Sequence, residues 1–326
     1  MSTRADLLSL LNGARLPSPP AFSGLIHVTT EGLAGEGLSL QEIHHDAGKM
    51  ARAAASTFKM MGMPSAALPL DLCMPAEMLG AELNYEGDGF PQVKQARFEG
   101  AKDITRETTE KYNKGRLETV CEAIRLAKGD VGSEVIISGM IPGPYTLLLY
   151  LCNPGNLFLE MKKQPQVVLD ALYRLSSFLA EIGMAYKAAG ADFITIHDMG
   201  GSPGFIGPAR YEQFVFPSEK MLIENLPKPR VLSVCGNVSK SLALLNQTSA
   251  EAISVDQTVN LDEARLVLTD TMLFGNIDPV AVLWREGEAQ VREAVQGAKE
   301  AGVDAIWPGC DLVVQTPPGN IHALGG

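Results

Sequence analysis

Two cysteines stand where predicted β-strands end: Cys235 in Val231-Leu232-Ser233-Val234-Cys235-Gly236-Asn237 and Cys310 in Ile306-Trp307-Pro308-Gly309-Cys310-Asp311. Paired thiolates at one end of a fold can hold a zinc ion, which readies a small nucleophile or polarises a leaving group. Two sulfurs do not complete such a site. The position two before Cys235, where a His-x-Cys pair places its histidine, is Ser233. Other ionisable and polar side chains also follow predicted strands. Asp71, His197 and Asp198 are the candidates for catalysis, and Glu77, Tyr145, Asn237 and Asn276 for holding a substrate. Cys73, Cys121 and Cys152 read as core cysteines, and Asp278-Pro279 as an Asx turn opening a helix.

These residues need a scaffold that collects strand ends on one rim. Short apolar runs alternate with longer amphipathic stretches, the pattern of βα units with parallel strands. Eight runs are counted, at residues 25–28, 66–70, 135–138, 193–197, 231–234, 252–255, 272–275 and 305–307. Eight units predict an α/β fold of the (β/α)8 TIM-barrel type, whose active site is built at the carboxyl ends of its strands. One helix is predicted after Pro165, with Val168, Leu172, Leu175, Leu179 and Ile182 on one face. A second is predicted to follow Asp103 as N-cap, carrying Leu117, Val120, Cys121 and Ile124. Gly62, Gly190 and Gly302 each read as a helix stop before a strand. Residues 71–105 read as a β-hairpin or loop insertion after the second strand, and no linker divides the chain, so residues 1–326 are expected to form one domain.

Composition narrows the function. The chain has 326 residues, 46% of them apolar and 20% charged, with a formal net charge of −11. That charge, without a basic aromatic-rich patch, opposes nucleic-acid binding. No apolar run approaches the roughly 18 residues of a membrane span, no signal peptide is visible, and five irregularly spaced cysteines suit reduced thiols, so a cytoplasmic location is expected.

Six motifs then combine: Gly143-Pro144-Tyr145-Thr146-Leu147, Phe214-Val215-Phe216-Pro217, Cys235-Gly236-Asn237, Ser254-Val255-Asp256-Gln257, Gly275-Asn276-Ile277-Asp278-Pro279 and Pro308-Gly309-Cys310. In this order they resemble the uroporphyrinogen decarboxylase superfamily, and within it the branch of cobamide-dependent methyltransferases that act on coenzyme M and related substrates. The resemblance implies methyl transfer between a small thiol, methoxy or methylamino substrate and the cobalt of a corrinoid. No Asp-x-His-x-x-Gly corrinoid motif occurs, so the corrinoid is expected on a partner protein. The branch also implies a His-x-Cys…Cys zinc site. Cys235 and Cys310 match its sulfurs and Ser233 departs from its histidine, which leaves His197 and Asp256 as candidates for the third ligand. Two other readings follow from the same resemblance. One is a cofactor-free lyase using Asp71, weakened because residues 17–24 contain no arginine to grip carboxylates; the other is a relative that binds without turnover.

Overall fold

The computed structural model describes residues 3–87 and 89–325; Met1, Ser2, Asp88 and Gly326, which the single-domain and insertion expectations also span, lie outside the described residues. Its strands are β1 (Ser65–Leu68), β2 (Glu82–Asn84), β3 (Gln92–Gln95), β4 (Ile136–Pro142), β5 (Phe193–Asp198), β6 (Arg230–Val234), β7 (Ala252–Val255) and β8 (Met272–Phe274). Six of them form one sheet in the order β1-β4-β5-β6-β7-β8, every neighbouring pair parallel. β2 and β3 form a separate antiparallel hairpin inside the predicted insertion.

The first and eighth predicted runs, 25–28 and 305–307, do not form strands. The eighth run bridges β8 through Ala305 and Phe274, and Ala21, just before the first run, bridges Ile306, both in parallel. The seam from the first segment to β1 is closed largely by side chains: Ser23 N donates to Ser65 Oγ (2.9 Å), and His27 Nε2 lies 2.9 Å from Ser65 O. Gly24 in the first segment packs closely against its neighbours. Its backbone sits so far inside the barrel that an added Cβ would fall 2.2 Å from Thr195 Oγ1.

Alternation along the strands sorts the side chains. Ile194, Ile196, Leu232 and Val234 join the core shared with the surrounding helices. The alternate set, Ile136, Phe193, Val231, Ala252 and Phe274, packs with Phe22, Ala305 and Trp307 against Leu7, Leu10 and Leu11 of the helix Arg4–Leu11. That helix plugs the barrel beneath its first residue layer. Two residues further along come hydroxyls: Ser138 Oγ lies 2.8 Å from Thr195 Oγ1, while Ser233 and Ser254 are buried without side-chain hydrogen bonds. Two further again come His197 and Cys235. Strand period therefore delivers these side chains to the open end.

The helix Pro165–Ala189 forms as predicted, with all five named apolar residues buried and Gly190 closing it in the left-handed region (φ 115°). The second predicted helix begins later. Asp103 is not its N-cap but ends a 3-10 turn, Ala101–Asp103, where its carboxylate accepts from Gly100 N; the helix itself is Gly115–Val131. No helix among the described residues is long and apolar enough to cross a membrane.

Candidate metal centre

Three side chains meet at the barrel mouth, one at the end of β5, one just after β6 and one just after the eighth barrel segment. His197 Nε2 lies 3.1 Å from Cys235 Sγ and 3.7 Å from Cys310 Sγ, and the two sulfurs are 2.6 Å apart. Each is placed by backbone chemistry. Cys235 N donates to Asp198 O (3.0 Å), which ties the end of β6 to β5. Gly236 turns the chain in the left-handed region (φ 79°), and its N–H donates to Asp256 Oδ2 at 2.8 Å. Gly309 approaches the backbone after β7 so closely that a Cβ would lie 2.7 Å from Gln257 N, and this close passage delivers Cys310.

The donor atoms all lie within 4.8 Å of one another, with His197 buried and both cysteines half-buried. Two thiols and an imidazole converging in this way fit zinc, and three protein ligands leave a fourth position for a substrate. Without metal the trio is already polarised. Cys310 is held well below the ordinary thiol range by the hydrogen bond from Cys235 and by His197, against burial; Cys235 is correspondingly pushed well above it. Burial alone would lower the pKa of His197, but the charges of Asp311 and Cys310 push it up to about 9.

Asp256 stands apart from the trio. Its carboxylate accepts from Gly236 N, Thr258 N and Thr258 Oγ1, so it shapes the loop that carries Cys235. Asn276 donates to Asp256 O and Val259 O and braces the same region, while exposed Asn237 bonds Thr258 O and Ser239 N. Tyr145 is fully buried with its hydroxyl on Met161 Sδ, so it packs the barrel wall instead of facing a substrate. Asp278 Oδ1 accepts from Val280 N and Ala281 N, as an Asx turn requires.

Asp198 is buried in a network of its own. Its Oδ1 accepts from Thr146 Oγ1 and from Gly201 N, and Thr146 Oγ1 in turn accepts from Met199 N and Gly200 N. Fully buried Glu219 faces Asp198 and accepts from Tyr211 OH at 2.6 Å; burial and the Asp198 charge hold its carboxyl well above the usual range, so it keeps its proton. Asp198 Oδ2 and Glu219 Oε1 are both buried without a hydrogen-bond partner. The network fixes the loop following His197.

Asp71 and Glu77 meet through a residue that pattern reading passes over. Arg116 Nη2 donates to Asp71 Oδ2 and Nη1 to Glu77 Oε2, both at 2.8 Å, and Tyr85 from the hairpin segment bonds Glu77 and Arg116. Burial would raise the pKa of Asp71, but His44 at 3.5 Å and the Arg116 guanidinium lower it to about 2. Arg116 shares a helix face with Val120, Ile124 and Ala127, all buried, and that spacing was its sequence signal. Asp311, adjacent to Cys310, was likewise passed over.

Fold and centre together define a TIM-barrel protein with a cysteine–histidine cluster at the carboxyl ends of its strands. The chain belongs to the uroporphyrinogen decarboxylase (URO-D) family, whose sequence model matches residues 2–325. It is 30% identical over 308 residues to the methylcobamide:CoM methyltransferase MtbA of Methanosarcina mazei, covering 91% of this chain and 88% of that one. Identity to the uroporphyrinogen decarboxylase of Thermodesulfovibrio yellowstonii is 26% over 251 residues, covering 74% and 72%. A solved methyltransferase from Methanosarcina mazei has the same fold: TM-score 0.92, 24% identity, 99% of this chain and 97% of that one.

Proposed function

We propose that this chain is a cobamide-dependent methyltransferase that moves a methyl group between the cobalt of a corrinoid carried by a partner protein and a small thiol bound at the barrel mouth. The observation that carries the reading is the convergence of His197 Nε2, Cys235 Sγ and Cys310 Sγ, completed from β5 where Ser233 leaves β6 without a histidine. The relatives' activities, methyl transfer from methylcobamide to CoM among them, support the reaction class.

His197, Cys235 and Cys310 are the residues that would hold zinc, which supplies a substrate thiolate at neutral pH. Two thiolate ligands balance the charge of a zinc ion. A centre so neutralised is a weak Lewis acid and suits thiolate activation better than assistance to a methoxy or methylamino leaving group. Half-exposed Cys235 and Cys310 leave the fourth position within reach of the mouth, and buried His197 anchors the centre from below. In the transfer the substrate sulfur forms a bond to the methyl carbon as the cobalt–carbon bond breaks, and cobalt keeps the electron pair.

A decarboxylase-like reaction is the weaker reading because its carboxylate is already engaged. Asp71 Oδ2 pairs with Arg116 and Oδ1 accepts from Met74 N at 2.7 Å. The test mixes zinc-loaded protein with methylcobalamin and a set of small thiols that includes CoM. Thiol-dependent loss of the methyl–cobalt absorption is expected; an unchanged spectrum with every thiol, and with corrinoid-protein-bound methylcobamide, would reject the proposal.

A further inference from the structure

His197 has two ring nitrogens, and the centre uses one. Nε2 faces the sulfurs, while Nδ1 is buried and has no hydrogen-bond partner. A neutral imidazole bound to a metal through Nε2 carries its proton on Nδ1. Left unpaired in the interior, that N–H would be destabilising. Asp311 Oδ2 stands 3.6 Å from Nδ1, ion-pair distance and a few tenths of an ångström short of a hydrogen bond. Its other oxygen, Oδ1, accepts from Ile26 N at 2.8 Å, so the carboxylate is pinned to the first barrel segment with one oxygen turned towards the ring.

We infer that Asp311 is the positioning carboxylate of the His197 ligand: it accepts the hydrogen bond of Nδ1–H, fixes the tautomer and ring plane, and raises the donor strength of Nε2. The inference rests on the metal reading above. It explains how a histidine on β5 can serve in place of one at position 233, because the acceptor that orients it is the residue next to ligand Cys310. Partners of this kind are worth about 10–100-fold in metal affinity.

Asparagine separates orientation from scaffolding. In Asp311→Asn the amide oxygen can keep the Ile26 N–H, and the NH2 group then faces Nδ1 as a second donor. Zinc affinity is measured by competition with a chromogenic chelator, alongside thermal unfolding of the metal-free proteins. The expected result is a zinc affinity about 10–100-fold below that of the unsubstituted protein, with the metal-free variant still folded and unfolding cooperatively. Unchanged affinity in Asp311→Asn, or a metal-free variant that no longer unfolds cooperatively, would overturn the inference while leaving the metal reading intact. An unsubstituted protein that binds no zinc would overturn both.

Discussion

His197 on β5 and Ser233 on β6 are register partners in adjoining parallel strands, and both side chains are buried. In the proposed zinc site the histidine that a His-x-Cys pair would supply from β6 comes from the neighbouring strand at the same height. Only the strand of origin differs. Ser233 Oγ is buried and has no hydrogen-bond partner.

Moving the histidine back tests this equivalence. His197→Ala should lose zinc binding, and Ser233→His added to His197→Ala should recover it, because position 233 precedes Cys235 on the same face of β6. Chelator competition on the single and double variants reads the result. A double variant as poor as His197→Ala would show that the two positions are not interchangeable.

Arg116 is expected to matter for stability. Replacing it with Met strands the buried Asp71 carboxylate and should cost about 3–5 kcal/mol in urea unfolding at pH 7. The pH dependence has a definite sign. The folded pKa of Asp71 lies below its ordinary 3.8, at about 2, so the unfolded chain binds the proton first. The stabilisation is complete above about pH 4 and is lost as pH falls towards 2. Arg116→Met should flatten the unfolding curve in that window; an unchanged acid slope would contradict the pairing.

Strand-end residues were the readable part of the centre, because a period of two and a parallel sheet place every residue that follows a strand on one rim. Cys235, Cys310 and His197 come together for that reason. Asp256 follows its strand too, yet backbone N–H groups claim its carboxylate, and a local turn of this kind competes with ligation in a way residue type does not reveal. Tyr145 faces the wall because the helix Pro144–Leu151 starts right after β4 and is buried over most of its length. The barrel seam was hidden as well. An apolar run does not disclose that the first and eighth segments pair only through isolated bridges. Arg116 and Asp311 act through pairs distant in sequence, Asp71 with Arg116 and His197 with Asp311, so neither role has a local pattern.

Metal content tests the central claim most directly. The protein is loaded with zinc under reducing conditions, freed of excess metal and analysed beside His197→Ala and Cys235→Ala/Cys310→Ala. One zinc per chain is predicted for the unsubstituted protein, with loss of stoichiometric zinc in both variants. An unsubstituted protein without stoichiometric zinc, or a His197→Ala variant that retains it in full, would contradict the assignment of His197, Cys235 and Cys310 as the ligands.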